Sequence, residues 1–312
     1  MKKIKLALLS GGISGEREVS LVSGEQVYEA LDKNKYEIFR YDPKTDLKKF
    51  LNDATDNKFD VVLPILHGPF GEDGKLQGML DMINIPYVFS GCLASATAMN
   101  KYKTKVLAED FGVPVPKDIL ISKNDKLDFD NFIDSLLLPI VIKPSELGSS
   151  VGISIAKTKE ELESGIKKAF EFDSYVLLEQ FIKGRELTVT MMGSDSPEVL
   201  AITEIIPLAS DFYDYEAKYA DGGSKHVCPA DIPNELQNRL HENALKVFKA
   251  IGCKDLSRAD FMWDDVNDKI YFIEINTIPG MTKVSLAPEA AKAVGIEFSD
   301  FLDKLISFNI KK

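Results

Sequence analysis

Four polar residues at alternating positions in the last third of the sequence could form one chemical site: Arg258, Asp260, Glu274 and Asn276. Residues two apart in a β-strand face the same side, so each pair shares a face. If a hairpin turns near Asn267, Asp260 lies opposite Glu274 and Arg258 lies opposite Asn276. The sequence therefore predicts that two carboxylates, an amide and a guanidinium converge on one face.

This combination of groups suits a metal-dependent reaction at phosphate. Carboxylate and amide oxygens are ligands for Mg²⁺, which takes phosphate oxygens and water in its remaining positions. Two such ions can bridge the β- and γ-phosphates of a nucleotide, while Arg258 stabilises charge in phosphoryl transfer. A hairpin that only faces water is disfavoured by the large apolar residues of both strands: Phe261, Trp263, Phe272 and Ile273.

A loop rich in Gly and Ser, at residues 144–152, could hold the phosphates of that nucleotide. A Walker loop runs into a helix, whereas this loop runs into a predicted strand, so we interpret it as a flexible flap. Its backbone N–H groups and the hydroxyls of Ser149 and Ser150 are suitable phosphate donors. Lys143, at the end of the preceding strand, adds a point charge. Lys101 could add another, although alone it has the pattern of a surface lysine.

Two further glycine-rich segments, at residues 10–16 and 67–74, follow predicted strands. The first lacks the G-x-G-x-x-G spacing of dinucleotide folds, and its Glu16 places a carboxylate at the positive end of a helix. This carboxylate could bind a substrate ammonium, or it could serve only as a partner of the helix dipole. His67, at the C-terminal end of a strand, could donate to an oxyanion or could be structural.

The spacing of apolar residues predicts alternating strands and helices in the first third of the chain. Strands are predicted at 3–9, 36–41, 60–66 and 86–88, and helices at 19–31 and 76–83. This alternation is typical of an α/β domain with a doubly wound parallel sheet. One helix over 95–111 then leads to a connector with Gly and Pro at 112–116, which indicates the beginning of another domain.

The rest of the chain has an α+β pattern. Strands are predicted at 137–143, 151–156, 175–181, 256–263 and 269–276, and helices at 159–170 and 298–307. The polar, tyrosine-rich segment 207–229 is long enough to be a lid rather than a plain connection. We find no internal repeat and no low-complexity segment.

The composition narrows the class of partner and the compartment. A net charge of −11 argues against nucleic acid and anionic membrane surfaces, which attract basic proteins. No apolar segment reaches the roughly 20 residues of a membrane span, and the N-terminal apolar run is too short for a signal peptide. Three separated cysteines without metal-site spacing indicate neither disulfides nor zinc. These features predict a cytoplasmic protein.

Taken together, the motifs resemble the D-alanine–D-alanine ligase family of ATP-grasp fold, over essentially the whole chain. The segments that carry the resemblance are Gly11-Gly12 with residues 16–20, His67-Gly68 with residues 71–74, Lys143-Pro144 with residues 148–150, residues 213–219, and residues 274–277 with 279–282. The resemblance implies a Rossmann-like domain at 1–96 and a two-domain ATP-grasp unit. The latter comprises a central part with the flap at 97–184 and a C-terminal part with the lid and metal site at 185–312.

The resemblance also implies an activity: ATP-dependent joining of two D-alanine molecules, to supply the dipeptide for peptidoglycan synthesis. The carboxylate of the first D-alanine attacks the γ-phosphate of ATP to form an acyl phosphate. The amine of the second D-alanine attacks that intermediate, and phosphate leaves. The same resemblance implies a homodimer.

The resemblance also implies roles for individual residues, at the positions that match the family's motifs. Two Mg²⁺ or Mn²⁺ ions bind Asp260, Glu274 and Asn276. Glu16 is expected to hold the ammonium of the first D-alanine, Ser285 and Leu286 to receive the carboxylate of the second, and His67 to be a further substrate-binding residue. A Glu16–Ser149–Tyr219 hydrogen-bond chain closes flap and lid, and Arg258 with the Gly280 N–H stabilises the tetrahedral oxyanion. The nucleotide-binding residues are Lys101, Lys143, Ser149, Ser150, Glu179, Gln180, Ile182, Glu186 and Lys218.

Two positions depart from common family members. Gln180 stands where a lysine is frequent, which loosens the assignment of the adenine site, and Val284 stands where a histidine is frequent. A relative that uses D-lactate or D-serine as second substrate is an alternative, and the lid residue Tyr219 discriminates between them. A non-catalytic nucleotide-binding module is disfavoured because all the expected metal ligands and phosphate lysines are present.

Overall fold

The computed structural model describes residues 2–148, 152–208 and 223–310 of the 312-residue chain. Within these residues the strands form three sheets: one parallel sheet of three strands and two antiparallel sheets of four and five strands. The mixture of a parallel N-terminal sheet with antiparallel sheets agrees with the predicted α/β and α+β fold class. The boundaries predicted after residues 96 and 184 remain predictions.

The N-terminal sheet has the order β2-β1-β3 and is parallel throughout. Its elements are β1 (Ile4–Ser10), α1 (Arg17–Ala30), β2 (Tyr36–Tyr41), α2 (Pro43–Thr55) and β3 (Val61–Ile65). Leu6 and Leu8 pack in one apolar cluster and Ala7 and Leu9 in another, because successive side chains of a strand point to opposite faces. Both faces of the sheet are thus covered, as predicted. The strand predicted at 86–88 is only an isolated bridge between Val62 and Tyr87.

The single helix predicted over 95–111 is wrong. Helix α3 (Lys75–Met82) is followed by two short helices, α4 (Cys92–Met99) and α5 (Lys101–Asp110). Asn100 interrupts them with a ψ of 100°, and its side chain accepts a hydrogen bond from the Lys103 N–H at 2.9 Å. As the N-cap residue of α5, asparagine accepts a hydrogen bond from a backbone N–H of the first turn, which would otherwise have no partner within the helix. As a result, Lys101 is the first residue of a new helix.

The central sheet has the order β4-β7-β5-β6, and all of its pairs are antiparallel. Its elements are β4 (Asp118–Ser122), α6 (Phe129–Leu136), β5 (Ile140–Pro144), β6 (Ser154–Ala156), α7 (Lys159–Ala169) and β7 (Tyr175–Gln180). Strand β4 and helix α6 are additional to the predicted elements. Leu162 and Ile166 of α7 are buried against Ile140 and Ile142 of β5, so this helix covers one face of the sheet.

The C-terminal sheet has the order β10-β9-β8-β11-β12. Its strands are β8 (Arg185–Met192), β9 (Glu198–Pro207), β10 (Ser224–Val227), β11 (Leu256–Asp264) and β12 (Lys269–Asn276), and its helix is α8 (Asn234–Ile251). Helix α8 packs on one face through Leu240 and Phe248. Glu186, Asp260 and Met262 of this sheet line a cavity instead. Part of the predicted lid, Ser224–Val227, is a strand paired with β9, and residues 209–222 lie outside the described ranges.

The last two helices, α9 (Leu286–Ala293) and α10 (Phe298–Ser307), return to the N-terminal sheet. Phe301 and Leu305 of α10 share an apolar cluster with Leu6 and Leu8 of β1. Burial of this surface ties the two ends of the described chain together. Glu72, in the glycine-rich loop after β3, lies close enough to the β11–β12 hairpin for the charges of Arg258 and Glu274 to affect its pKa.

Candidate active site

The hairpin of β11 and β12 brings the four predicted residues together. Arg258 pairs with Asn276 and Asp260 pairs with Glu274, as predicted. The register shifts immediately beyond Asp260, where Phe261 pairs with Phe272, so Ile273 is the additional residue of a bulge. Bulges often reorient side chains beside active sites.

Asp260 is the centre of a hydrogen-bond network. Arg258 donates to both of its carboxylate oxygens, from Nε and Nη2, at 2.9 Å each. Thr188 of β8 donates from Oγ1 to Oδ1 at 2.5 Å, and Asn276 donates from Nδ2 to Oδ2 at 3.3 Å. The carboxylate is buried, so these donors compensate the loss of hydration and fix its orientation.

Lys101 joins this network from the N-terminus of α5. Its Nζ lies 3.6 Å from Glu274 Oε2 and donates to the carbonyl oxygen of Leu147, which lies in the predicted flap. Its backbone N–H donates to Ser145 O at 2.9 Å. Lys101 is buried rather than a surface lysine. The break at Asn100 therefore places an ammonium and the positive end of a helix beside the predicted flap.

Glu179, at the end of β7, is a buried carboxylate between two lysines. Lys143 Nζ donates to Oε1 at 2.5 Å and Lys105 Nζ donates to Oε2 at 2.6 Å. Burial raises the pKa of the Glu179 carboxyl, but the charges of Lys143 and Lys105 outweigh this effect and lower the pKa. Glu179 is consequently ionised at neutral pH and can only accept hydrogen bonds.

A cavity of about 780 Å³ separates the central and C-terminal sheets. Its walls are mainly apolar, with Val141 and Ile155 on one side and Met262 and Ile273 on the other. The predicted nucleotide residues Lys143, Glu179, Gln180, Ile182 and Glu186 line it, as do Asp260 and Glu274. A flat apolar group between two sheets, with polar groups at one end, fits this shape.

Glu16 lies where two glycine-containing loops meet. It occupies the N-cap position of α1, and its side chain makes no capping hydrogen bond to that helix. A Cβ atom at Gly68 would collide with Glu16 Oε2, and one at Gly148 would lie 3.3 Å from it. Gly68 also has a φ of +73°, which favours glycine. The carboxylate is thus held between the loop after β3 and the base of the flap.

Glu72 is a site residue that the sequence analysis did not single out. The Gly68 N–H donates to Glu72 Oε2 at 2.5 Å. Burial raises the pKa of the Glu72 carboxyl well above its usual range, and the charge of Glu16 adds to the increase. The only sequence signal for Glu72 is the acidic pair Glu72-Asp73 within a glycine-rich segment. The proximity of Glu72 to Glu16 could not be predicted, because the two residues are far apart in the chain.

His67 is buried, and its Nε2 lies 3.4 Å from Ser23 Oγ. Burial lowers the pKa of His67 to about 4, although a backbone hydrogen bond with Ile278 opposes the change. The ring is therefore neutral at physiological pH. A neutral ring still has one N–H donor, so both interpretations of His67, as a donor to the substrate and as a structural residue, stay open.

The segment after β12 contains the residues predicted for the second substrate. Ser285 Oγ is 3.1 Å from the Thr282 N–H and 2.8 Å from Thr282 Oγ1. A Cβ atom at Gly280 would lie 2.9 Å from Ser285 Oγ, so these two residues are neighbours. Leu286 is buried at the first position of α9.

Four of the predicted residues, Ser149, Ser150, Lys218 and Tyr219, lie outside the described residues. The hydrogen-bond chain from Glu16 through Ser149 to Tyr219 therefore stays a prediction. The remaining predicted residues lie in three regions: the N-terminal loops, the surroundings of the cavity between the two antiparallel sheets, and the segment after β12.

Comparison with known proteins identifies the family. The family models described as D-ala D-ala ligase N-terminus and C-terminus match residues 40–92 and 107–307. A D-alanine--D-alanine ligase of Syntrophobacter fumaroxidans is 44% identical over 311 residues, with 99% of each chain covered. One from Desulfotalea psychrophila is 42% identical, covering 100% of this chain and 96% of the relative.

Solved structures agree. A D-alanine--D-alanine ligase from Bacillus anthracis complexed with ATP has a TM-score of 0.86 and 36% identity, covering 99% of this chain and 97% of its own. The VanG D-Ala:D-Ser ligase from Enterococcus faecalis has a TM-score of 0.84 and 34% identity, covering 99% and 100%. Both family models match, and the relatives align over nearly the whole chain. The chain therefore belongs to the D-alanine–D-alanine ligase family.

Proposed function

We propose that this protein joins two D-alanine molecules at the expense of ATP, giving D-alanyl-D-alanine, ADP and phosphate. The observation that carries the proposal is a connected set of contacts: Lys101 lies beside both Glu274 and the Leu147 carbonyl, and Gly148 lies beside the carboxylate of the buried Glu16. The chain is similar over its full length to D-alanine--D-alanine ligases, one of which was solved with ATP. This similarity supports ATP as the nucleotide and D-alanine as the substrate.

The nucleotide would occupy the apolar cavity. Its base would lie between the walls formed by Val141 and Met262, with Glu179 and the segment after it at the edge. Glu186, further along that wall, would accept from ribose hydroxyls. The phosphates would extend towards Lys143, which precedes the flap in the chain, and Lys101, which donates to the Leu147 carbonyl.

The hairpin suits divalent cations. Asp260, Glu274 and Asn276 supply oxygen donors on one face, and the carboxylates are balanced here by Arg258 and Lys101. Among the described residues no group of three or more His, Cys, Asp or Glu could hold a metal, so Asn276 and phosphate oxygens would have to complete the set. Bound Mg²⁺ or Mn²⁺ would neutralise the triphosphate charge.

The remaining residues would hold and activate the amino acids. Glu16 would bind the ammonium of the first D-alanine, whose carboxylate attacks the γ-phosphate to form an acyl phosphate and ADP. Ser285 and Leu286 would bind the carboxylate of the second D-alanine. Its amine loses a proton and attacks the acyl carbon, and Arg258 with the Gly280 N–H would stabilise the oxyanion before phosphate leaves.

The direct test is stoichiometry. With ATP, Mg²⁺ and D-alanine, one ADP and one phosphate should appear for each dipeptide formed. Each candidate D-amino acid should also be offered as the only amino acid. ATP should be consumed only when that amino acid can fill both substrate sites, as D-alanine is expected to do. Steady ATP hydrolysis without D-alanine, and no dipeptide with it, would contradict the proposal.

A second candidate, joining D-alanine to D-serine, is favoured by the similarity to the VanG D-Ala:D-Ser ligase, and D-lactate is a further alternative second substrate. Competition between D-alanine and each alternative, followed by mass spectrometry, separates these functions.

We also propose a cytoplasmic homodimer that serves peptidoglycan synthesis. No helix among the described ranges is long and apolar enough to cross a bilayer.

A further inference from the structure

A buried lysine behind the wall of the nucleotide cavity has no role in the function proposed so far. Lys105, on α5, is 1% exposed, and it is not among the residues that line the cavity. Its Nζ lies 2.6 Å from Glu179 Oε2, 2.6 Å from Asp118 Oδ2 and 3.0 Å from the carbonyl oxygen of Pro116. An ammonium has three N–H donors, so these three acceptors saturate it.

This saturation distinguishes Lys105 from Lys143, the other cation of Glu179. Lys143 borders the cavity, where a triphosphate would compete for its charge, whereas Lys105 is sealed behind Glu179. If phosphate draws Lys143 away, Glu179 keeps one counter-ion, and Lys105 remains fixed by Asp118 and Pro116. A buried carboxylate without any counter-ion would take up a proton and become a donor as well as an acceptor.

The protonation state of Glu179 matters because it determines which hydrogen-bonding groups of a nucleotide base this side chain can recognise. Each oxygen of an ionised carboxylate can accept a second hydrogen bond beyond those from the lysines, but it cannot donate one. A base with an exocyclic amino group would be accepted at this edge. A base with a carbonyl oxygen in the same position would be repelled.

We propose that Lys105 is a positioning residue for base specificity, which holds Glu179 as an ionised acceptor so that a 6-aminopurine is selected over a 6-oxopurine. The proposal rests on the proposed use of ATP by this cavity. It is independent of which amino acids are joined.

The experiment measures binding of ATP and of inosine triphosphate, each with Mg²⁺ and without D-alanine, to the full chain and to Lys105→Met. Methionine has about the length of the lysine stem and no charge. We expect the ratio of the two dissociation constants to fall by roughly tenfold or more, since hydrogen bonds to charged groups have about this strength. In the complete reaction, KM for ATP should rise while kcat changes by less than about threefold.

The matched control is Lys103→Met, which removes an exposed lysine from the same helix. It should leave the ratio unchanged. An equal loss of affinity for both nucleotides in Lys105→Met, or the same change in the control, would overturn the proposal. Because no D-alanine is present, failure of dipeptide synthesis would not affect this result, and failure of both nucleotides to bind the unmodified chain would refute the nucleotide assignment instead.

Should Lys105→Met fail to fold, the double variant Lys105→Met/Glu179→Gln removes one charge of each sign. If Lys105 acts through Glu179, this variant should discriminate the two nucleotides as poorly as Glu179→Gln alone. A further loss of discrimination beyond that single variant would show that Lys105 acts by another route, and would reject the proposal.

Discussion

Asp260 and Glu274 face each other across β11 and β12, directly beside the bulge at Ile273. Between the bulge and the turn, Phe261 and Phe272 pair and belong to the core under α8. The additional residue changes the alternation of β12, so that Ile273 and Glu274 both line the cavity. The bulge thereby joins an apolar wall to a carboxylate site on adjacent residues.

Glu274→Gln should lower kcat by roughly 100- to 1,000-fold, since one lost electrostatic contact to a transition state is worth about 2.7–4 kcal/mol. A neutral amide cannot balance divalent cations against a triphosphate. The measurement is kcat at saturating ATP, D-alanine and Mg²⁺, together with the thermal midpoint. Glu198→Gln, at an exposed position of the same sheet, is the control. A Glu274→Gln enzyme within tenfold of the unmodified protein would place the metal elsewhere.

Thr188→Val should weaken catalysis through Asp260. The substitution keeps the shape of the side chain but removes the 2.5 Å hydrogen bond to Asp260 Oδ1. We expect stability to fall by about 1–3 kcal/mol, because a buried acceptor loses a donor, and we expect the Mg²⁺ concentration for half-maximal activity to rise. Thr203→Val, one strand further from Asp260, should leave the Mg²⁺ dependence unchanged. An identical Mg²⁺ dependence in Thr188→Val would show that this contact is not needed for orientation.

His67 should make the protein less stable as the pH falls. Its folded pKa of about 4 lies below the ordinary value of 6.5, so between these values the unfolded chain binds a proton that the native protein does not. Stability is therefore lost as the pH falls from 6.5 towards 4, by about 2 kcal/mol between pH 7 and pH 5. Urea unfolding at both pH values checks this. His67→Gln should show a pH dependence smaller by this amount, and an unaltered dependence would contradict the assignment.

Tyr219→His should change the choice of second substrate. The amine of D-alanine arrives as an ammonium, which a neutral tyrosine does not oppose, whereas a protonated histidine would repel it and leave D-lactate unaffected. The unmodified protein should therefore make almost no depsipeptide at pH 6 or pH 8 when both substrates compete. The variant should make more of it, especially at pH 6, by mass spectrometry of the products. Substantial depsipeptide from the unmodified protein would refute the D-alanine preference but not the ligase reaction.

The sequence alone determined the alternating elements of the N-terminal domain and the residues paired across the hairpin. Both depend on local periodicity: apolar residues spaced for strands and helices, and polar residues two apart on strands of defined length. The motifs around Glu16, Lys143 and Glu274 were sufficient to identify the family, because each motif is contiguous in the chain.

Only the tertiary structure decided the contacts between distant segments. Glu72 acquires its raised pKa from burial and from Glu16, 56 residues away in the numbering, and Lys105 of α5 contacts Glu179 of β7, 74 residues away. The break at Asn100 was missed because asparagine is tolerated within helices, and capping here coincides with docking of Lys101 against Ser145. These features depend on burial and on contacts between residues far apart in the chain. Neither can be predicted from the spacing of residues along the sequence.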